Sequence, residues 1–168
     1  VTYRAKHEGA FLRVESKGLD GWEVKDKSGT RYLFGGTPES EIRTPTSQVF
    51  RWGLRKAIDP HGNYLEVTYT ADQGQVYPAE IRYTGHAPTG LSPANQVDFL
   101  LEDRPDIETS YRSGFPVTTA KRLQAIETKA TVDGVLSLAR RYELGYTTSL
   151  RTGRSLLSTV TQVGTDGA

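Results

Sequence analysis

The side chains best equipped for chemistry crowd into one stretch. Glu102, Asp103, Asp106 and Glu108 lie within seven residues, with Arg104 and Pro105 among them. Paired carboxylates can ligate calcium or act as the acid and base of a glycosidase. Arg104 points the other way, because its guanidinium neutralises the group and can form a bidentate pair with Asp103 or Asp106. The stretch therefore reads first as a structural ion-pair corner. The three histidines, His7, His61 and His86, fall in the N-terminal region, a turn and a loop, and none has a second histidine three or four residues away. Zinc needs three or four convergent ligands, so these read as exposed turn histidines. Asp59-Pro-His-Gly-Asn63 lacks the acidic spacing of a calcium loop, and no Gly-x-Ser-x-Gly elbow is present. Nine tyrosines, five phenylalanines and two tryptophans could line a sugar-binding groove, with Tyr32, Trp52 and Tyr69 as candidates. Most occupy alternate strand positions, where aromatics serve packing. The residues nominate no catalytic, cofactor or metal site.

The elements that must position these groups are strands. Phe50, Trp52, Leu54 and Ile58, then Leu65, Val67 and Tyr69, recur at spacings of two or four residues, which puts each set on one strand face. Asp59-Pro60-His61-Gly62 between them is a turn, with Gly62 left-handed. A four-residue loop pairs Ile58 with Asn63 and sets Trp52 opposite Tyr69 and Leu54 opposite Val67. It is preferred over a three-residue loop because it unites the apolar positions on one face. Trp22–Asp26 and Thr30–Phe34 form a second hairpin, whose three-residue loop Lys27-Ser28-Gly29 pairs Trp22 with Phe34 and Val24 with Tyr32. The two hairpins share a loose pattern, Trp22/Val24/Asp26/Gly29 and Trp52/Leu54/Asp59/Gly62.

Further strands are expected at Phe11–Glu15, Tyr77–Thr84, Val97–Leu101, Lys121–Val132, Leu136–Thr147 and Leu156–Val163. Pro78 belongs at a strand start or edge. Gly35–Ser47 and Gly85–Asn95 read as surface loops, and Glu102–Phe115 as a bent connector with a short strand near Ile107–Tyr111. For the Val132–Leu136 turn, a three-residue Val132-Asp133-Gly134 loop is preferred over a two-residue Asp133-Gly134 turn, since it sets Ala130 opposite Leu136. Thr165-Asp166-Gly167 reads as a final turn. The count is nine to eleven strands with no helical periodicity, an all-β antiparallel meander of long hairpins in an open or curved sheet.

Composition narrows the class. At 168 residues the chain suits one domain. A hydrophobic fraction of 36% and a mean hydropathy of −0.53 fit a sheet with one wet face or a piece of a larger assembly. Basic and acidic residues, 21 and 20, are intermixed, so no concentrated basic patch suggests nucleic acid or a membrane surface. Arg140-Arg141 and Lys121-Arg122 read as solvated strand charges. Cysteine is absent, which removes disulfides and thiolate metal sites. No apolar run reaches the roughly 18 residues of a membrane span. Methionine is also absent, even at position 1, as expected of a segment cut from a longer polypeptide.

The order of short motifs resembles the SpvB-type domain, a relative of Rhs/YD-repeat shells. The residues are Trp52-x-Leu54, Ile58-Asp59-x-x-Gly62-Asn63 and Tyr69, then Ala79-Glu-Ile81-Arg-Tyr83-Thr-Gly85, Val97-x-Phe99, Arg104-Pro-Asp106, Tyr111-x-x-Gly114 and Lys121-Arg-Leu123-x-x-Ile126. Tyr142-x-Leu-x-Tyr146, Ser155-Leu-Leu157 and Asp166-Gly167 continue it, so it runs from about Trp22 to Gly167. The resemblance implies a structural, non-enzymatic segment of a secreted bacterial toxin component, contributing strands to a shell around a toxic polypeptide. It also implies partners: Rhs repeats and a β-propeller of the same chain, and other toxin-complex components, without nucleic acid or direct membrane insertion. The ADP-ribosyltransferase activity of some family members belongs to another domain, and none of its motif is present here. A secreted carbohydrate-binding β module is the alternative.

Overall fold

The computed structural model describes residues 1–6 and 9–164; His7 and the turn expected at 165–167 lie outside the described residues. Among the described residues thirteen strands follow one another: β1 (Thr2–Tyr3), β2 (Arg13–Ser16), β3 (Trp22–Lys25), β4 (Arg31–Phe34), β5 (Glu41–Arg43), β6 (Val49–Trp52), β7 (Leu54–Ile58), β8 (Asn63–Asp72), β9 (Gln75–His86), β10 (Asn95–Ser110), β11 (Val117–Val132), β12 (Val135–Thr148) and β13 (Ser155–Val163). Eleven form one antiparallel sheet in the order β1-β2-β3-β4-β7-β8-β9-β10-β11-β12-β13, and β5 pairs with β6 in a separate small sheet. The all-β meander is as the sequence predicts, with two strands more than the upper expectation. Helical structure among the described residues consists of short 3-10 turns, and no helix is long and apolar enough to cross a membrane.

The β3–β4 hairpin has the expected register, with Trp22 opposite Phe34 and Val24 opposite Tyr32. Gly29 takes φ 92°. The Asp26 carboxylate closes the loop by accepting the Ser28 and Thr30 amides at 2.9 and 3.0 Å. The β7–β8 hairpin corrects the expectation. Ile58 pairs with Tyr64 and the Asp59 amide donates to the Asn63 carbonyl at 2.9 Å, so the loop has three residues rather than four. Gly62 is left-handed as expected, at φ 88°. Asp59 repeats the role of Asp26, accepting the His61 and Asn63 amides at 2.8 and 2.9 Å. The two Asp-x-x-Gly loops are the same device. The four-residue loop needs Trp52 and Leu54 opposite β8, whereas β8 pairs with Lys56–Ile58 and Leu54 pairs with Phe34. The strand breaks at Gly53, and Trp52 pairs instead with Glu41 in the small sheet. A side chain outside the hairpin cannot constrain its register.

Gly35–Ser47 is not a surface loop. It contains β5 and the most buried run of the chain, Ser40, Glu41 and Ile42, at 2, 5 and 1% exposure. Ile42 packs with Phe115, Val117 and Val76 into the core cluster. The segment folds back as a flap because Gly53 lacks a Cβ: one there would stand 2.7 Å from the Tyr69 ring. The Gly53 amide reaches the Ser40 carbonyl, and the Gly35 amide reaches the Gly53 carbonyl at 2.9 Å.

Of Glu102–Phe115, the strand expected near Ile107–Tyr111 is present, but Glu102–Asp106 is strand as well and the connection begins only at Tyr111. β10 runs unbroken through Arg104-Pro105 to Ser110, with a register shift against β11 between Asp103 and Glu108. Where β10 bows away, the Ala120 and Lys121 amides of β11 donate to the Tyr77 hydroxyl at 3.0 and 3.3 Å. Buried amides need acceptors, and Tyr77 supplies one from β9. Pro78, beside it, lies at a register shift and beyond the last β9–β10 pair, the local edge that proline requires.

The β11–β12 turn is the two-residue Asp133-Gly134 form, with Val132 opposite Val135 and Leu136 opposite Thr131. Both turn residues have positive φ, 51° and 79°, as type I′ geometry demands. Val132, Val135, Leu136 and Leu138 are all exposed. With no buried face at the tip, turn chemistry decided the register, and a bulge between Thr128 and Lys129 resets it further in.

Candidate functional site

The structure disperses the acidic cluster onto separate cations. Glu102 pairs with Arg122 at 2.6 Å, Asp103 with Lys121 at 2.5 Å and Glu108 with Arg154 at 2.8 Å. Asp106 receives the Arg104 fork at 3.1 and 2.7 Å and also the amide and hydroxyl of Ser155 at 2.9 and 2.6 Å. The bow in β10 aims Asp106 at the first residue of β13, three strands further along the sheet. The corner is an ion-pair corner, as expected, and its added work is to clip β13. Arg122 also lies over the Tyr146 ring at 4.2 Å, while Arg141 is held by Glu127 and Glu143. Most of the charges expected to be merely solvated are therefore paired across strands.

The Arg104 guanidinium, followed by the Ser155 hydroxyl and amide, holds the Asp106 carboxyl far below the usual carboxylate range. A carboxyl lowered on folding contributes stability that is fully present above its unfolded value and is lost only as pH falls through the folded value. The expected result is an Asp106 carboxyl-carbon resonance that stays at its ionised position as pH drops through about 4, where ordinary carboxyls titrate. Titration of Asp106 in that ordinary range would mean that the clip does not form.

His61 sits in the exposed loop as expected. His86 is half-buried at the end of β9, and its ring contacts the Thr89 hydroxyl at 2.8 Å and the His61 carbonyl at 3.1 Å. It fastens the Ala87–Thr89 turn to the Asp59 loop. No group of His, Asp and Glu among the described residues could hold a metal ion.

Tyr32, Trp52 and Tyr69, the candidate sugar platform, line three separate concavities. The Tyr32 hydroxyl donates to Asp26 at 3.2 Å, and the Tyr69 hydroxyl donates to the Leu54 carbonyl at 2.8 Å. Trp52 belongs to a different grouping that spacing along the chain did not reveal. With Val14, Trp22, Val24 and Phe34 it forms an open apolar trough of about 400 Å³. Trp22 and Trp52 meet edge-on with ring centroids 5.6 Å apart, and Tyr3 tilts onto Trp22 at 5.4 Å. The shared Trp pattern of the two hairpins was the available signal, and the flap is what brings the second tryptophan onto the first.

The polar counterpart of the trough is the buried Glu41. Its Oε1 accepts the Gly36 amide at 2.8 Å and its Oε2 meets the Arg43 guanidinium. The first contact ties β5 to the chain just after β4, and the second lies within β5. Sequence reasoning placed Glu41 in a loop, where nothing marked it.

Residues 1–92 match the family model described as SpvB, Salmonella virulence plasmid 65kDa B protein. No curated protein matches the sequence. Among solved structures, the N-terminal domain of effector protein SpvB from Salmonella typhimurium strain LT2 is similar with a TM-score of 0.84 at 16% identity, over 97% of this chain and 68% of that one. The TcdB2-TccC3 structure is similar with a TM-score of 0.78 at 19% identity, over 99% of this chain and 11% of that one. The Photorhabdus luminescens Tc holotoxin pore gives 0.81 at 18% identity, again over 99% of this chain and 11% of that one. The fold is thus shared along nearly the whole chain, whereas the family match covers its first half and extends N-terminal of the motifs noticed in the sequence.

Proposed function

The chain belongs to the SpvB family, and from that premise we propose that it is an architectural, non-enzymatic segment of a secreted bacterial toxin component. Its strands add to the wall of a larger β shell that encloses or delivers a toxic polypeptide. The observation that carries this reading is the last strand. Among the described residues β13 ends the sheet order, paired with β12 alone, and Ser155–Val163 contains neither a charge nor a proline. Folded proteins blunt open edges with such residues, so an unblunted edge is suited to receiving another strand. The thin interior supports the same reading. Among the described residues Ile42, Tyr77, Phe115, Val117, Ala120 and Ala125 are the buried apolar ones, whereas Leu156, Leu157, Val160 and many other large apolar side chains are exposed. Commitment of each carboxylate in the acidic stretch to its own cation supports the absence of catalysis. The partners on this reading are Rhs-repeat and propeller domains of the same polypeptide and other toxin-complex components.

The test is limited proteolysis of the complete polypeptide together with its toxic segment. The segment is expected to survive protease, and to be cut when Val160→Pro breaks the β12–β13 ladder opposite Leu144. A segment that is cut equally in the unaltered assembly would overturn the proposal. Saturable glycan binding that disappears in Trp52→Ala would favour the carbohydrate-binding module instead.

A further inference from the structure

The face of β2–β4 opposite the apolar trough carries an arrangement that the sequence hides. Arg13 stands opposite Lys25, and Lys25 opposite Arg31, so strand pairing alone lines up three cations in a single cross-strand row. Adjacent strands lie about 4.8 Å apart, which makes the row about 10 Å long. Like charges directly opposite one another are destabilising, and the next position in the row is Ile58, not a carboxylate. The carboxylates stand one row away, Glu15 opposite Glu23. Each of them is already shared between two cations. Glu15 is held by Arg13 and by Lys17 at 2.8 Å, and Glu23 by Lys17 at 3.4 Å and Arg31 at 2.8 Å. Their charge is therefore spent locally, and Lys25 has no ion-pair partner among the described residues. The five side chains of the two rows, without Lys17, line a concavity of about 260 Å³.

We propose that Arg13, Lys25 and Arg31 form a binding site for a doubly charged oxyanion of the phosphate type. Arg31 turns Nε and one terminal nitrogen to Glu23, and Arg13 one terminal nitrogen to Glu15, so the remaining guanidinium N–H groups and the Lys25 ammonium are the donors left for such an anion. One dianion seated over the row supplies the counter-charge that Lys25 lacks and adds to the part that Glu15 and Glu23 give the two arginines. The site depends on register rather than on a basic run in the chain, and so the even intermixing of charges along the sequence does not show it.

The experiment is a titration of the chain with inorganic phosphate at constant ionic strength, with chloride as the reference, following the Nε–H resonances of Arg13 and Arg31. Saturable shifts with phosphate and none with chloride are expected. Lys25→Gln is expected to weaken binding about fivefold, the scale of one exposed charge contact, and Lys25→Glu to remove it. Lys27→Gln, in the exposed loop next to the row, is expected to leave binding unchanged. Vesicles of phosphatidic acid in phosphatidylcholine identify the source of the phosphate. Co-sedimentation lost in Lys25→Glu assigns a lipid headgroup, and phosphate binding without co-sedimentation assigns a free phosphate. Shifts that are linear, that chloride reproduces, or that persist in Lys25→Glu would overturn the site.

Discussion

Gly35→Ala is expected to destabilise the chain by about 2–5 kcal/mol, the sum of left-handed backbone strain and overpacking. Gly35 has φ 69°, and a Cβ there would stand 2.3 Å from Cδ1 of Trp52 and 2.6 Å from Oε1 of Glu41. Neither neighbour can yield. Trp52 is held edge-on against Trp22, and Glu41 is a buried carboxylate whose Oε1 accepts the Gly36 amide. Gly153 supplies the control. It has the same φ of 69° but nothing within 4 Å of its virtual Cβ, so Gly153→Ala should show the backbone strain alone, about 1–2 kcal/mol. Urea denaturation of both variants measures the difference. Equal losses would mean that the flap is not packed against the end of β4, and the trough would lose its second tryptophan.

Val160→Lys is expected to separate self-association from folding. The isolated chain should associate as its concentration rises, because β13 offers unpaired backbone groups between exposed Leu156, Leu157 and Val160. A lysine at position 160 should raise the concentration at which association begins at least tenfold, equivalent to about 1.4 kcal/mol, as read by sedimentation velocity. Position 160 is 58% exposed, and substitutions at such sites usually change stability by about 0.5 kcal/mol or less, so the variant should remain folded. A chain that stays monomeric at all concentrations without the substitution would show that this edge accepts no strand. The shell reading would then lose the observation that carries it.

The hairpins show how far local chemistry reaches. Asp26 and Asp59 each accept two loop amides ahead of a left-handed glycine, and Asp133-Gly134 makes its two-residue turn on a tip without a buried face. Where parity of apolar positions was preferred over these local signals, at Asp59–Gly62 and at Val132–Gly134, the structure sided with the turn residues. Bulges, such as the one at Thr128/Lys129, let the register change along a strand. One straight pairing therefore cannot be extrapolated from a distant side chain.

The sequence by itself determined the class and the connectivity. Period-two alternation specifies strands, and Asp and Gly at set spacings specify tight loops, both through interactions within a few residues. Those are enough to make an antiparallel meander. The ion-pair corner was also legible, because Arg104 is two residues from Asp106. Only the tertiary structure decided that Glu41 is buried, that Trp52 meets Trp22, that Asp106 clips Ser155 and that Arg13, Lys25 and Arg31 share a row. Each of these joins residues separated by the flap, by a bulge or by strand register, and the free energy that places them comes from burial and pairing across the sheet, which no short stretch of chain contains.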